Sequence, residues 1–408
     1  MQAHRLSVAL AALIGTLAST TACAATQSLA LLAQAPGDLV PAHLQPAAKR
    51  TAPDLDRTPV ALSWALDAEQ ALDARPQPFV RESREYWLDA SEAELQRGVA
   101  LTLSAPGAVV RISPHRGNRG AGLAASDLRI GVAGRRVDAA QAFRSVAGED
   151  ELRAAGLDVP QGSLALRLSD AVGAGVLTLS APTARGAYLV HVFEPASGVV
   201  LRLGAERDGI SSGQAMRVHA SIDGAPSLAR IGGIVSAPDG HAQDIDFVRQ
   251  ADGRYVATFT PDPAHAGGPG LWEAHAFATA GGKQAVPRDA KTAFAVSAPV
   301  ARFGGRATRI DAAGGAIAVR VDVEAMQASR YMVSGVLYGT GADGSLRPAA
   351  LAQSAAWLGQ GGGTIELRYD ASNIDAALHA PWEVRDLRLV NQADLGLLER
   401  RERAFAMP

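Results

Sequence analysis

GRYVATFTPD (residues 253–262), a Gly/Pro-rich loop and LWEAHAFATAGGK (271–283) are answered near the end of the chain by GTIELRYDAS (363–372), a polar loop and PWEVRDLRLVNQ (381–392). Each block reads as a strand, a loop and a second strand opening on Trp-Glu, at Trp272-Glu273 and at Trp382-Glu383. The strands upstream align as well. AMRVHASID (215–223) precedes GGIVSAPDG (232–240) much as AIAVRVDVE (316–324) precedes SGVLYGTGADG (334–344). The offset is 101 residues from Ala215 to Ala316 and 110 from Trp272 to Trp382, so the difference falls in loops. Short alternating runs punctuated by Gly, Asp and Pro are the pattern of half-buried strands, and a period near a hundred residues fits tandem β-sandwiches of immunoglobulin type. A 3.6-residue apolar period, the mark of amphipathic helices, is missing from this half. Trp272 and Trp382 are expected to anchor one core each, whereas Trp64, Trp87 and Trp357 have no matching partner.

Working outward, the expected fold class is mainly β and multi-domain. An N-terminal β-rich domain with a few short helices spans 60–204, and immunoglobulin-like sandwiches follow at 205–297 and 298–408. RGAYLVHVFEPASG (185–198) lays over LWEAHAFATAGG, with Tyr188 on Trp272, His191 on His275 and Phe193 on Phe277. Ser91 to Glu94 has the S-x-x-E form of a capping box and predicts a short helix ending at Gly98. VALTLSAPGAVVRISP (99–114) reads as two strands, 138–156 as one or two short helices, and GSLALRLSDAVGAGVLTLSAP (162–182) as a hairpin. The final hairpin is expected to turn at Asn391 to Asp394. Before all this, 25–59 is rich in Ala and Pro, with Pro36, Pro41, Pro46, Pro53 and Pro59 spaced through it, and reads as an extended tether.

The first residues carry an address. Arg5 is the only charged side chain before Asp38, an apolar run covers Leu6 to Leu17, and Ala22-Cys23-Ala24 forms an A-x-A exit. A signal peptide over 1–24 and export to the periplasm or medium are therefore expected. The alternative is a lipoprotein acylated on Cys23, against which Thr20 stands where lipidation sites usually carry Leu. Cys23 is the single cysteine, so cleavage after Ala24 leaves no disulfide to form. No later stretch is apolar enough for a transmembrane segment. With Arg5 removed, 38 basic residues face 41 acidic ones without a basic stripe, which argues against nucleic acid as a partner. Only Lys49, Lys283 and Lys291 are lysines.

The export signal, the Pro-rich segment, SREYW at 83–87 and the two closing modules together resemble a family of exported bacterial proteins catalogued as a domain of unknown function. The resemblance covers most of the mature chain. It implies an N-terminal β-rich domain followed by immunoglobulin-like modules, and it carries no functional residues.

The apparent catalytic motifs read better as structure. Gly209-Ile210-Ser211-Ser212-Gly213 satisfies G-x-S-x-G, but a strand follows it where a nucleophile elbow needs a helix, so a linker is expected. Gly339 to Gly344 satisfies G-x-G-x-x-G, and Pro348 spoils the helix that would face a pyrophosphate, so a hairpin loop is expected. Asp239, His241, Asp244 and Asp246 lie close enough for a calcium site, although Pro-Asp-Gly is a turn signature and His a poor calcium ligand. His191 and Glu194 point to opposite faces at strand spacing, Glu273 and His275 share a face, and Asp54 and Asp56 lie in the tether. No catalytic, cofactor-binding or metal-binding residue is assigned. The expected function is non-enzymatic binding of a protein or glycan of the cell envelope or exterior. The alternative is a secreted hydrolase working from the N-terminal domain, where His115, Asp127, Asp138 and His191 are the polar candidates. A structural spacer anchored through Cys23 is a third reading.

Overall fold

Apolar and polar residues alternate along MRVHASID and burial alternates with them, and this pattern, repeated along the chain, builds a mainly β molecule. The computed structural model describes residues 26–46, 54–73, 77–115, 122–266, 270–282 and 284–408. The expected signal peptide, with Cys23, Lys49 and Lys283, lies outside the described residues. Helices are few and short, at Glu92–Arg97, Ala139–Ala142 and Glu149–Ala154. None of them is long and apolar enough to cross a membrane.

The sheets pack as three two-layer units. In the N-terminal unit, Glu85–Ala90, Tyr188–Phe193, Val109–Pro114, Leu164–Leu168 and Phe143–Ala147 face a sheet of Val99–Leu103, Gly175–Ser180, Arg129–Val132 and Arg135–Val137. Leu101, Ile112, Leu166 and Tyr188 fill the space between. The middle unit places Val200–Ala205, Met216–Asp223 and Tyr255–Phe259 against Leu228–Ser236, Trp272–Ala280 and Val286–Ser297, around Val218, Phe259 and Phe294. The C-terminal unit sets Ala301–Asp311, Ile317–Ala325 and Gly363–Tyr369 against Ser329–Thr340, Leu346–Leu358, His379–Asn391 and Gly396–Met407. Trp272 (1 % exposed) and Trp382 (9 %) are core anchors in their units, as the repeat predicts. The Ser91 capping box forms as read, and the closing hairpin forms with its turn at 392–395, one residue beyond the expected place.

Several expectations are corrected. Residues 26–46 are not a free tether. Thr26–Ala30 adds antiparallel to Ala301–Asp311, Leu29 enters the C-terminal core, and Leu39 exchanges backbone hydrogen bonds with Arg400. Proline blocks a ladder only where it stands, and TQSLA contains none. Val60 does not open the N-terminal domain either: Val60–Ala65 pairs with Leu346–Leu358 of the C-terminal unit. Arg81–Ser83 then pairs with Val200–Ala205, which in turn pairs with Met216–Asp223, so both strands belong to the middle unit. The N-terminal unit, expected to be β-rich with a few short helices, is itself two sheets around one core. Leu164–Leu168 and Gly175–Ser180 make no hairpin, because the short helical turn Asp170–Val172 between them crosses from one sheet to the other.

The N-terminal and middle units share a continuous sheet through a single residue pair, Asp289 with Glu85. Beneath that seam Arg288 Nη2 meets Glu194 Oε2 at 2.6 Å, both side chains 0 % exposed. Arg288 also donates from Nε to the Val199 carbonyl at 2.9 Å, and Glu194 accepts from the Ser104 and Ala105 amides at 2.6 and 3.0 Å.

Two consequences are measurable by denaturant unfolding. Leu29→Ala should cost about 2 kcal/mol or more through a cavity in the C-terminal core, while Leu62→Ala, on the exposed face of the same arm, should stay within about 0.5 kcal/mol. Arg288→Ala should cost about 3–5 kcal/mol, because Glu194 is left charged and buried. An Arg288 variant no weaker than one at the exposed Arg320–Glu366 pair would show that the buried pair does not hold the units.

Candidate functional site

Most of the polar residues that the sequence offers are engaged separately. His115 pairs with Asp89 at the surface at 2.8 Å, Asp127 caps its own turn through the Ala124 amide, and the Asp138 carbonyl starts a helix. Gly209–Ser211 is no linker: it is a short strand parallel to Val286–Ser297, with Ser211 buried and a strand following where an elbow needs a helix. Gly339 to Gly344 spans the end of one strand and the turn into the next. Asp239 Oδ2 lies 2.8 Å from His265 Nδ1, and His241 stacks on the same ring at 3.9 Å. Among the described residues no group of three or more His, Cys, Asp or Glu is arranged to hold a metal. Asp56 accepts the Thr58 amide in a local turn.

Two of these candidates do meet, around Trp87 on the outer face of the shared sheet. His191 stacks on Trp87 at 5.1 Å and His275 meets the same indole edge-on at 5.4 Å, while Glu273 pairs at the surface with Lys291 at 2.8 Å. His191 Nε2 lies 2.9 Å from Glu85 Oε2. Burial works to raise the Glu85 carboxyl, but the hydrogen bond and charge of His191, with Arg81, hold it below the usual glutamate range. The Asp289 carboxylate accepts the Trp87 amide at 2.7 Å, and burial, with Glu85 nearby, pushes it up to about 6. Burial and then Lys291 push His275 down to about 4. The His191 contacts, a carboxylate and an indole, orient an imidazole and supply no nucleophile.

A different surface offers a place for a ligand. The outer face of the five-stranded C-terminal sheet carries a cleft of about 640 Å³. Its floor includes Val336, Tyr338, Leu351 and Gln353, and the arm segment carrying Leu66 and Leu72 forms one wall. The cross-strand register sorts the floor into two rows. One runs Trp64, Leu351, Val336, Arg385, and the other Leu62, Gln353, Ser334, Arg388. Arg385 and Arg388 stand three apart, so a regular strand would point them to opposite faces. The ladder slips between them, and Asp386 sits at φ 45° in the left-handed region, so both guanidinium groups reach the cleft. The Arg385 guanidinium lies 4.7 Å from the centre of the Tyr338 ring, and Arg388 holds the Asp386 carboxylate through two nitrogens. Trp64 is 43 % exposed at the edge of this floor. The sequence flags Trp64 only as an unmatched aromatic, and nothing local announces the bulge.

Residues 51–194 match the N-terminal domain, and residues 301–408 the C-terminal domain, of a family described as a domain of unknown function, DUF4785. The chain belongs to the DUF4785 family. It is similar to a crystal structure of a DUF4785 family protein from Legionella pneumophila, at 20 % identity and a TM-score of 0.71, over 90 % of this chain and 98 % of that one. That likeness shows the fold. The native conformation of Escherichia coli alpha-2-macroglobulin aligns with 82 % of this chain and 20 % of its own, at 14 % identity and a TM-score of 0.30, below the level of a shared fold. No curated protein matches the chain.

The seam has a pH signature. Unfolded, Asp289 titrates near 3.8; folded, near 6. The native state therefore binds its proton more tightly, and this residue's contribution to stability falls as pH rises from about 4 to about 6, by roughly 2–3 kcal/mol. Asp289→Asn, which keeps an acceptor for the Trp87 amide, should gain that amount on the native protein across the window in urea titrations. Parallel curves for the two proteins would mean that the carboxyl titrates normally.

Proposed function

We propose that this DUF4785 family chain is an exported protein of immunoglobulin-like units, periplasmic or secreted, that binds a component of the cell envelope or exterior, a protein or a glycan, without turning it over. The observation that carries the reading is the cleft on the outer C-terminal face, with exposed Trp64 at its edge and a bulge that aims two arginines into it. Concave sites with apolar surface and a few fixed polar groups are where ligands bind, and a left-handed non-glycine residue is strain kept most often at functional positions. The export signal read in the sequence supports the envelope as the place of work. Lipidation at Cys23 is the alternative route to the same surface.

One observation favours a hydrolase in the N-terminal unit: the 2.9 Å contact between His191 and Glu85, a base and the carboxylate that would orient it. Ester or glycoside turnover that disappears in His191→Ala would replace the binding reading.

The test is a cross-linked pull-down of the mature protein from its own envelope and medium, with bound proteins and glycans read by mass spectrometry. One dominant component should be retained by the native protein and lost by a Trp64→Ser, Arg388→Ala double variant that keeps its unfolding midpoint. Retention unchanged by that variant would remove the cleft from the proposal.

A further inference from the structure

We propose that the cleft beside Trp64 takes a neutral oligosaccharide. This rests on the binding reading and specifies its ligand. A pyranose presents flat C–H faces together with pairs of neighbouring hydroxyls, so a site for it needs apolar or aromatic surface flanked by planar groups with several donors and acceptors. The two cross-strand rows supply that division. Trp64, Leu351 and Val336 make an apolar lane that ends at Arg385, and Gln353, Ser334 and Arg388 make a hydrogen-bonding lane beside it. The lanes are two residues apart along the first three strands, about 7 Å, and three apart across the bulge of the fourth, and the four strands span about 14 Å. That is a shallow track for two or three sugar rings. Its cleft volume of about 640 Å³ lies within the ~300–1,000 Å³ of ligand pockets.

Charge decides which saccharide. Arg385, Arg388 and Arg403 line the cleft, and so do Asp73, Asp386 and Glu402. Each arginine already has a carboxylate partner: Asp386 holds Arg388, and Glu383 holds both Arg385 and Arg403 at 2.8 and 2.7 Å. The guanidinium groups are thereby fixed in orientation and neutralised, and each guanidinium carries five N–H donors, more than one carboxylate takes up. A uronate or phosphate would have to displace one of these carboxylates, so the balance favours an uncharged ligand. An extended peptide would be drawn instead to the unpaired backbone edge of the Val60–Ala65 strand.

The mature protein would be applied to an array of neutral trimers built on glucose, mannose, galactose and N-acetylglucosamine, printed beside uronate- and phosphate-bearing trimers. Hits would be titrated calorimetrically. The expected result is binding of a neutral trimer, weakened about tenfold or more by Trp64→Ala and by Gln353→Ala, two substitutions outside the core. Preference for the acidic trimers, indifference to both variants, or binding to no trimer would overturn the proposal. If trimers fail while envelope capture still depends on Trp64, the saccharide falls and the binding reading stands. If capture also loses that dependence, both fall.

Discussion

Arg288 and Glu194 meet with both side chains wholly out of solvent, at a seam where two sheets touch through a single residue pair. One bridged pair cannot fix the angle between two sheets. The ion pair can, because each partner is held by further groups: the Val199 carbonyl on the guanidinium, and the Ser104 and Ala105 amides on the carboxylate. Burying two charges costs heavily unless the remaining donors and acceptors are satisfied, and here they are met by backbone from both sides of the seam. The outer face above the pair inherits this geometry. Trp87 from one unit and His275 from the other come within ring contact there, where Asp289 also accepts the Trp87 amide.

The C-terminal unit depends on a different constraint. Its two sheets are each widened by a strand from the far end of the sequence, Thr26–Ala30 on one and Val60–Ala65 on the other. The second of these also brings Trp64 to the outer face, and the segment after it walls the cleft. Without the arm, the floor of the site would be an open sheet. The cleft is thus lined by residues as far apart in sequence as Leu66 and Arg403.

Local signals in the sequence were enough for the modules and not for the way they are joined. The repeat around Trp272 and Trp382 located two cores, because a buried indole at the head of a strand is a local necessity that recurs with the unit. The Ser91 capping box and the closing hairpin are likewise settled by residues a few positions apart. The arm was not legible. Its prolines suggested an unpaired chain, and whether TQSLA or VALSWA finds a partner depends on edges formed by residues about 290 positions later. Arg288 reads as one more surface arginine until the seam buries it. At the cleft, Trp64 stood out by composition, whereas Arg385 and Arg388 share a face only through a bulge at Asp386, where an ordinary alternating strand would have been read.

The arm's attachment also determines where a mechanical load would enter. Tension applied ahead of Thr26 does not reach the N-terminal unit first. It arrives at the Thr26–Ala30 ladder on Ala301–Asp311, then at the Leu39–Arg400 exchange, both in the C-terminal unit. Five paired residues and a buried Leu29 would have to shear before the pull passed on toward Val60. The unit carrying the cleft is therefore the first to bear such a load.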